Sequence, residues 1–181
     1  TEGTYSATNA SVSCTMCNPG TYSNPGSQEC YDCGIGTFQP LVGGFLCENC
    51  TAGTYGIAEG QSTCIECEKG KFGTATGAQD CDECQAGQFT DDTRQTVCDD
   101  CQAGRYTADI GQETCLNCAI GKYENVGGAT ECMECVEGRY QQFLGRTVCE
   151  ICGPGFYNPN TAQTACLLCG NGLYMPTYAA P

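Results

Sequence analysis

A chain of 181 residues that contains 20 cysteines but no tryptophan and no histidine is not built around the apolar core of an ordinary globular domain. Only 25 residues are Leu, Ile, Val or Phe, and the net charge is −14, a combination typical of disorder unless covalent bonds replace the missing apolar burial. The excess of Asp and Glu (21) over Lys and Arg (7) argues against nucleic acid and anionic membrane surfaces as partners. Disulfides in this number persist in an oxidising compartment, so we expect an extracellular or cell-surface location.

The cysteines form ten Cys-x-x-Cys pairs along the chain. The first pair is 16 residues from the second, and every later step is 17 residues. Such self-similarity at a short fixed period is the mark of a repeat architecture. It predicts one continuous array over residues 1–181, with about ten 17-residue cysteine-rich repeats and incomplete units at both ends. The pairs are Cys14/Cys17, Cys30/Cys33, Cys47/Cys50, Cys64/Cys67, Cys81/Cys84, Cys98/Cys101, Cys115/Cys118, Cys132/Cys135, Cys149/Cys152 and Cys166/Cys169.

Within each repeat, with the first cysteine at position zero, a glycine follows at position six and an aromatic residue at position eight. The glycine is expected to adopt positive φ or to admit a close backbone approach. The aromatic is the only large apolar residue in most repeats, so we expect it to pack on a neighbouring disulfide or ring and form a ladder. The aromatic residues are Tyr22, Phe38, Tyr55, Phe72, Phe89, Tyr106, Tyr123, Tyr140, Tyr157 and Tyr174.

A second glycine usually stands four residues before the next pair, where it fits the tip of a hairpin-like turn with positive φ. Arg94 and Ala162 replace it in two repeats, which implies that the turn can be made without glycine. The segment around each position-eight aromatic reads as a short strand, and no helical period of 3.6 residues is sustained anywhere. The predicted fold class is a small disulfide-rich repeat: an elongated, solenoid-like rod of short β-hairpins and loops with almost no helix.

Two disulfide connectivities respect the repeat. In one, pairs of repeats interlock as Cys14–Cys30 with Cys17–Cys33, and so on, which predicts a 34-residue super-period. In the other, the second cysteine of each pair bonds the first cysteine of the next. The absence of any difference between odd and even repeats favours this second scheme. Its bridges are Cys17–Cys30, Cys33–Cys47, Cys50–Cys64, Cys67–Cys81, Cys84–Cys98, Cys101–Cys115, Cys118–Cys132, Cys135–Cys149 and Cys152–Cys166.

That scheme leaves Cys14 and Cys169 over. The stretch before Cys14 has a Gly-x-Tyr loop without an opening cysteine, and the stretch after Cys169 has one without a closing cysteine. We therefore expect Cys14 and Cys169 to bond cysteines beyond these repeats, either in further repeats of the same chain or in a second copy joined head to tail.

The unit Cys-x-x-Cys-x-x-Gly-x-Tyr/Phe resembles the ephrin-receptor-like cysteine-rich repeat, which is also found in growth-factor-receptor-type and, more distantly, tumour necrosis factor receptor-type ectodomains. The closest copies are Cys17-Asn-Pro-Gly20-Thr-Tyr22 and Cys152-Gly-Pro-Gly155-Phe-Tyr157, and the resemblance covers nearly all of the sequence. It implies disulfide-stapled extracellular arrays that serve as receptor stalks, ligand-binding ectodomains or surface proteins. It also implies closure of each Gly-x-Tyr/Phe loop by the second cysteine of one pair and the first of the next.

Zinc binding and catalysis are less well supported than disulfide bonding as roles for the Cys-x-x-Cys pairs. Paired Cys-x-x-Cys motifs can build four-thiolate zinc sites, but the secretory composition and the lack of histidine argue against zinc. Redox catalysis by Cys-x-x-Cys needs a helix N-terminus to lower a thiol pKa, and loops offer none. No histidine, repeated carboxylate pair or phosphate-binding loop supports catalysis. The sequence thus predicts no enzyme activity, no catalytic residue, no cofactor and no metal.

The expected partners are further repeats or copies of this chain and glycans, with no nucleic acid and no direct insertion into a membrane. Asn9 and Asn49 stand in glycosylation sequons, Asn9-Ala10-Ser11 and Asn49-Cys50-Thr51.

The leading functional hypothesis is a non-enzymatic extracellular structural protein, a building block of a surface filament, appendage or coat. The alternative is the ligand-binding or stalk ectodomain of a receptor or adhesin, for which the apolar stretches Leu41–Leu46 and Tyr140–Leu144 (Tyr140, Phe143, Leu144) are the candidate binding patches. A third hypothesis is an antigenic surface coat.

Overall fold

The structure, a computed structural model, describes residues 2–8 and 11–170. Within these ranges the backbone forms strands, turns and bends and no helix. Twenty strands of two residues each pair as ten antiparallel hairpins, which confirms the predicted class of a small disulfide-rich repeat built from short β-hairpins. The strands are β1 (Thr4–Tyr5), β2 (Thr15–Met16), β3 (Thr21–Tyr22), β4 (Tyr31–Asp32), β5 (Thr37–Phe38), β6 (Glu48–Asn49), β7 (Thr54–Tyr55), β8 (Ile65–Glu66), β9 (Lys71–Phe72), β10 (Asp82–Glu83), β11 (Gln88–Phe89), β12 (Asp99–Asp100), β13 (Arg105–Tyr106), β14 (Leu116–Asn117), β15 (Lys122–Tyr123), β16 (Met133–Glu134), β17 (Arg139–Tyr140), β18 (Glu150–Ile151), β19 (Phe156–Tyr157) and β20 (Leu167–Leu168).

Each hairpin starts from a tight turn directly after the second cysteine of a pair. In the second repeat, the Thr37 amide donates to the Gly34 carbonyl at 3.0 Å, and Gly36 between them has a φ of 79°. A positive φ at the third residue of such a turn favours glycine, which is the physical reason for the invariant position six. The chain leaves the turn as a strand at positions seven and eight, and this strand pairs with the two residues between the cysteines of the next pair, as Phe38 pairs with Glu48.

The loop of each hairpin turns back four residues before the next pair, which is position thirteen in every 17-residue step and position twelve in the first. The glycines at this position have φ values between 67° and 84°. Arg94 and Ala162 keep the same conformation, with φ values of 60° and 56°, so the turn is made without glycine as predicted. The reason is a backbone hydrogen bond: the amide of the turn residue donates to the carbonyl of a position-three cysteine in the preceding repeat, and Arg94 and Ala162 make this bond at 2.8 Å to Cys67 and Cys135.

Consecutive repeats are joined by three backbone hydrogen bonds at each step. Taking Cys14 and Cys30 as the starts of two neighbouring repeats, the Gly20 amide donates to Gln39 at 2.7 Å, the Ser23 amide to Gly44 at 3.2 Å, and the Gly43 amide to Cys17 at 2.7 Å. Equivalent bonds recur with an offset of one repeat among the described residues of each compact unit. The repeats are therefore locked to their neighbours through the main chain, whatever side chains they carry.

The glycine at position six is also required by a close approach between repeats that are two steps apart. A Cβ atom added to Gly20 would overlap the carbonyl oxygen of Gly60, and one added to Gly104 would overlap that of Gly145. Three successive repeats therefore meet at each of these glycines, and no side chain fits there.

The described residues belong to two compact units, Thr1–Glu83 with Asp92–Val97, and Cys84–Asp91 with Cys98–Pro181. In both units the buried centre consists of the position-three cysteines rather than of aliphatic side chains. These cysteines are 0–4% exposed: Cys17, Cys33, Cys50, Cys67, Cys84, Cys101, Cys118, Cys135 and Cys152. Over the described ranges, no helix is long and apolar enough to cross a membrane.

Candidate functional site

Nine disulfides connect neighbouring repeats, and each bonds a buried position-three cysteine to the position-zero cysteine 13 or 14 residues further along. Their Cα–Cα distances of 5.6–5.8 Å lie in the ordinary range for disulfides. This is the scheme favoured from the absence of odd–even alternation, and the interlocked scheme is not the one the structure adopts. The bridges are Cys17–Cys30, Cys33–Cys47, Cys50–Cys64, Cys67–Cys81, Cys84–Cys98, Cys101–Cys115, Cys118–Cys132, Cys135–Cys149 and Cys152–Cys166.

Two cysteines carry free thiols. Cys14 is exposed and Cys169 is half-buried. Cys14 occupies position zero and Cys169 occupies position three, the two positions that each of the nine disulfides joins. The described residues contain no group of three or more His, Cys, Asp or Glu side chains arranged to hold a metal ion.

A buried polar or glycine residue at position nine is the main structural feature that the sequence interpretation missed. This position follows the aromatic directly, and its backbone carbonyl accepts the amide of the preceding repeat's position-six glycine. A signal was available in the sequence, since a large apolar residue occupies the position only once, as Met175 of the last repeat. The residues are Ser23, Gln39, Gly56, Gly73, Thr90, Thr107, Glu124, Gln141 and Asn158, all buried.

Glutamine at position nine holds the loop that follows it in a fixed conformation. In the second repeat, Gln39 donates from Nε2 to the Leu46 carbonyl and accepts the Leu41 amide on Oε1 at 3.0 Å. In the eighth repeat, Gln141 makes the same two bonds, to the Val148 carbonyl at 2.8 Å and from the Phe143 amide at 3.0 Å. Because both glutamines are buried, these bonds form away from water and define the loop backbone.

The two glutamine-held loops are the apolar stretches that the sequence analysis selected, and the structure places their large side chains outward. Leu41, Val42, Phe45 and Leu46 are exposed in the first loop. In the second loop Phe143 and Leu144 are exposed, together with Val148, which the sequence interpretation left out. These side chains are therefore exposed to solvent rather than buried against an adjacent repeat.

Tyr140, the remaining member of the second stretch, belongs to the strand rather than to the exposed patch. Its hydroxyl donates to Glu150 Oε2 at 2.8 Å across the β17–β18 hairpin. This hydrogen bond, with desolvation and the charge of the same carboxylate, raises the pKa of Tyr140 above its ordinary value because each favours the neutral phenol.

The position-eight aromatics are mostly half-buried beside their own hairpins. In the described part of the chain the ring-to-ring contact is between Tyr22 and Tyr31, with centroids 5.9 Å apart and planes inclined by 47°. Tyr31 is the cross-strand neighbour of Tyr22, so this contact lies within one hairpin and not between the aromatics of successive repeats. Packing of the rings on disulfides stays a prediction, and Tyr174 lies outside the described residues.

A row of carboxylates and amides at position two lies along the exposed edge of the hairpins. Several accept hydrogen bonds or ion pairs from position seven of the same hairpin, as Asp100 does from Gln88 at 2.9 Å and Asn117 from Arg105 at 3.0 Å. Lys122 and Glu134 form an ion pair at 3.5 Å in the same way. The members of the row are Asp32, Asn49, Glu66, Glu83, Asp100, Asn117 and Glu134.

Of the two glycosylation sequons, only the second is described. Asn49 is an exposed residue of β6, whereas the middle residue of its sequon, Cys50, is fully buried in a disulfide to Cys64. Asn9 lies outside the described residues. Glycosylation of either asparagine stays a prediction.

The comparisons agree with this repeat architecture. No curated protein matches the chain. The family described as tyrosine-protein kinase ephrin type A/B receptor-like matches three segments, residues 20–59, 53–101 and 104–147, which together cover more than half of the chain. The matched module is an extracellular-type, non-catalytic ectodomain module. The chain therefore belongs to the ephrin-receptor-like family of cysteine-rich repeats.

Proposed function

We propose that this protein is a non-enzymatic extracellular structural protein, a building block of a surface filament, appendage or coat. One observation carries the proposal: every described step within each unit repeats the same main-chain connection between neighbours, and a disulfide accompanies it. A receptor needs one distinctive face, whereas a load-bearing array needs each joint to be equivalent.

The mechanical role follows from where the bonds lie. The disulfides are the buried centre of each unit, so pulling on the chain is resisted by covalent bonds that water and reductants reach poorly at position three. Closing a loop of this size with a disulfide stabilises the fold by about 3 kcal/mol in the chain-entropy model. The acidic exterior keeps such an array soluble, since its net charge is −14.

Cys14 and Cys169 supply the means of extension. They occupy the two complementary positions of the bridge, and both are unbonded. We expect Cys169 to bond a position-zero cysteine, and Cys14 a position-three cysteine, of further repeats or of a second copy.

Electron microscopy of the native, unreduced protein beside a reduced sample tests this function. Fibres with a regular axial repeat that disappear on reduction are expected. The matched control is the Cys14→Ser/Cys169→Ser variant, which keeps all nine internal bridges but should not form covalent multimers on a non-reducing gel. Dispersed single particles in the native and the reduced sample alike would contradict the structural function.

A stalk or ligand-binding ectodomain is the second candidate, and the family favours it because the matched repeats are of the ephrin-receptor type. The two exposed apolar loops are where such a ligand would bind.

A further inference from the structure

Two loops of the chain expose large apolar side chains at the same three places, positions eleven, twelve and sixteen. We call them the Leu41 triad (Leu41, Val42, Leu46) and the Phe143 triad (Phe143, Leu144, Val148). Their side chains are 48–68% exposed, and Phe45 at position fifteen of the first loop, 58% exposed, extends the Leu41 triad. Among the described loops that run from one pair to the next, no other has large apolar residues at all three positions, and the two triads are six repeats apart along the chain.

The loops that carry the two triads are preorganised by hydrogen bonds within the chain. The buried side chains of Gln39 and Gln141 fix the two loops by the same pair of hydrogen bonds. Little conformational entropy therefore remains to be lost from the loop backbone on association, which is the usual cost of binding through a loop.

A complementary pair of charges accompanies the triads. The Arg146 guanidinium lies over the Phe143 ring, 5.0 Å from its centroid, and forms no ion pair with a described residue. Glu48, two residues after Leu46, is exposed, and its carboxylate likewise has no hydrogen bond or ion pair among the described residues. The equivalent carboxylate beside the Phe143 triad is already occupied, because Glu150 accepts the hydroxyl of Tyr140. At Glu48 the cross-strand neighbour is Phe38, which has no hydroxyl to offer.

The charge of the rest of the molecule points to the same partner. Copies with a net charge of −14 repel one another over most of their surface. The loop 39–46 contains no charged residue, and the loop 141–148 contains only the positive Arg146. These two loops are therefore places where an acidic chain of the same kind can approach without repulsion.

We propose that the Leu41 triad of one copy binds the Phe143 triad of a second copy, with Glu48 of the first facing Arg146 of the second. The contact rests on the proposed structural function and names its lateral partner. It joins two unlike surfaces, so a copy that uses one triad keeps the other free, either for a third copy or for a second, reciprocal contact with the same partner. Six side chains make a contact well below the area of a standard interface, so the association is weak singly and depends on concentration.

The test uses the full, oxidised chain with Cys14→Ser and Cys169→Ser, which removes covalent multimers and leaves only lateral association. In this background the Leu41-triad variant carries Leu41→Ser, Val42→Thr and Leu46→Ser, together with Phe45→Ser, which removes the remaining exposed apolar side chain of that loop. The Phe143-triad variant carries Phe143→Ser, Leu144→Ser and Val148→Thr. A matched control carries Ile57→Ser and Ile110→Ser, which change exposed apolar residues outside both triads. Unchanged thermal unfolding shows that each variant keeps its fold.

Sedimentation velocity over a concentration series gives the readout. The parent and the control are expected to associate as their concentration rises. Each triad variant alone is expected to self-associate about a hundredfold more weakly, because it lacks the exposed apolar groups that the contact would bury. An equimolar mixture of the two triad variants retains one Leu41 triad and one Phe143 triad, so it is expected to form a 1:1 complex and nothing larger.

Three results would overturn the proposal: a parent protein that stays monomeric, triad variants that associate like the parent, or a Phe143-triad variant that dimerises by itself through like triads. None of these results touches the end-to-end disulfides of the proposed function, which the microscopy tests separately. Native material that forms no fibres but still associates through the triads would contradict the proposed structural function and leave the lateral contact supported.

Discussion

The Thr93 hydroxyl donates to Glu66 Oε2 at 3.1 Å, and the same contact recurs between Thr161 and Glu134 at 3.1 Å. Both contacts join position two of one repeat to position twelve of the next, and both fall on the loops whose turn residue, Arg94 or Ala162, is not glycine.

Where the turn residue is glycine, a shorter side chain faces it. A Cβ atom on Gly60 would lie 3.1 Å from Asp32 Oδ1, and one on Gly145 would lie 3.1 Å from Asn117 Oδ1. At position two, aspartate or asparagine thus lies next to a glycine at the turn of the following repeat. Where that turn residue is Arg94 or Ala162, position two is a glutamate, which accepts a hydrogen bond from the threonine that precedes the turn residue. Two glycine turns depart from this pairing: Gly43 is faced by Met16, and Gly111 follows Glu83 in the next repeat of the sequence.

Ala162→Gly is expected to raise the free energy of unfolding by about 1 kcal/mol, because alanine pays a steric cost at positive φ that glycine does not. The φ of Ala162 is 56°, and its amide bond to Cys135 does not depend on the side chain. Denaturant unfolding of the oxidised protein measures the change. Gly145→Ala is the matched control and should lower the free energy of unfolding by at least as much, since its new Cβ also crowds Asn117. A neutral or destabilising Ala162→Gly would show that the turn is not strained.

Gly104→Ala should destabilise the protein by more than Gly155→Ala. Both glycines occupy position six with nearly equal φ values, 83° and 82°, so the cost of positive φ is shared. Only at Gly104 does the new Cβ overlap a carbonyl, that of Gly145, while at Gly155 nothing lies within 4 Å. We expect about 1 kcal/mol for Gly155→Ala and several kcal/mol for Gly104→Ala. Equal losses in thermal unfolding would rule out the close approach between repeats two steps apart.

Peptide mapping of the unreduced protein should recover Cys50 linked to Cys64 and Cys101 linked to Cys115. A link between Cys47 and Cys64 would instead establish the interlocked scheme. Replacing Cys50 and Cys64 together by alanine is expected to cost about 2–4 kcal/mol of unfolding free energy. Cys14→Ser serves as the control, because Cys14 is exposed and unbonded, and it should leave the stability unchanged.

Gln141→Ala should release the loop that carries the Phe143 triad. The substitution leaves the Phe143 amide and the Val148 carbonyl without the partners that Gln141 supplies, at a cost of about 1–3 kcal/mol for such unpaired groups. Hydrogen exchange at the Phe143 amide is expected to become faster, while that of neighbouring repeats is unchanged. Gln142→Ala alters the exposed neighbour and should have no effect. Protected exchange at Phe143 in the Gln141 variant would mean that the loop is held by other contacts.

The pH dependence of Tyr140 provides a spectroscopic test of its contact with Glu150. Because the pKa of the Tyr140 phenol is raised in the folded state, its contribution to stability is present below the ordinary tyrosine pKa of about 10 and is lost as the pH rises through the higher folded-state value. Ultraviolet titration should show one phenol ionising later than the others, and Tyr140→Phe should remove that phase. Glu150→Gln should bring it back toward the ordinary range. Identical titrations of the parent and Glu150→Gln would contradict the assignment.

Much of the fold could be predicted because its rules are local to one repeat. Gly36 at position six, Phe38 at position eight and the turn at Arg94 all follow from steric preferences within a few residues, so spacing alone indicated the strand, the turn and its positive φ. The regular pairs likewise favoured one connectivity, since interlocking would have required alternate repeats to differ. The apolar character of Leu41 and Phe143 was also visible in the sequence.

The amino-acid sequence by itself determined the repeat, its hairpins and the absence of an aliphatic core, because covalent spacing and backbone sterics act over short distances. Only the tertiary structure decided which residues are buried between repeats and which face outward. Gln141 is buried, although it is polar, because the carbonyl of Val148 and the amide of Phe143 satisfy its side chain. Phe143 is exposed, although it is aromatic, because main-chain hydrogen bonds and disulfides fill the space between repeats and leave it no apolar site to occupy.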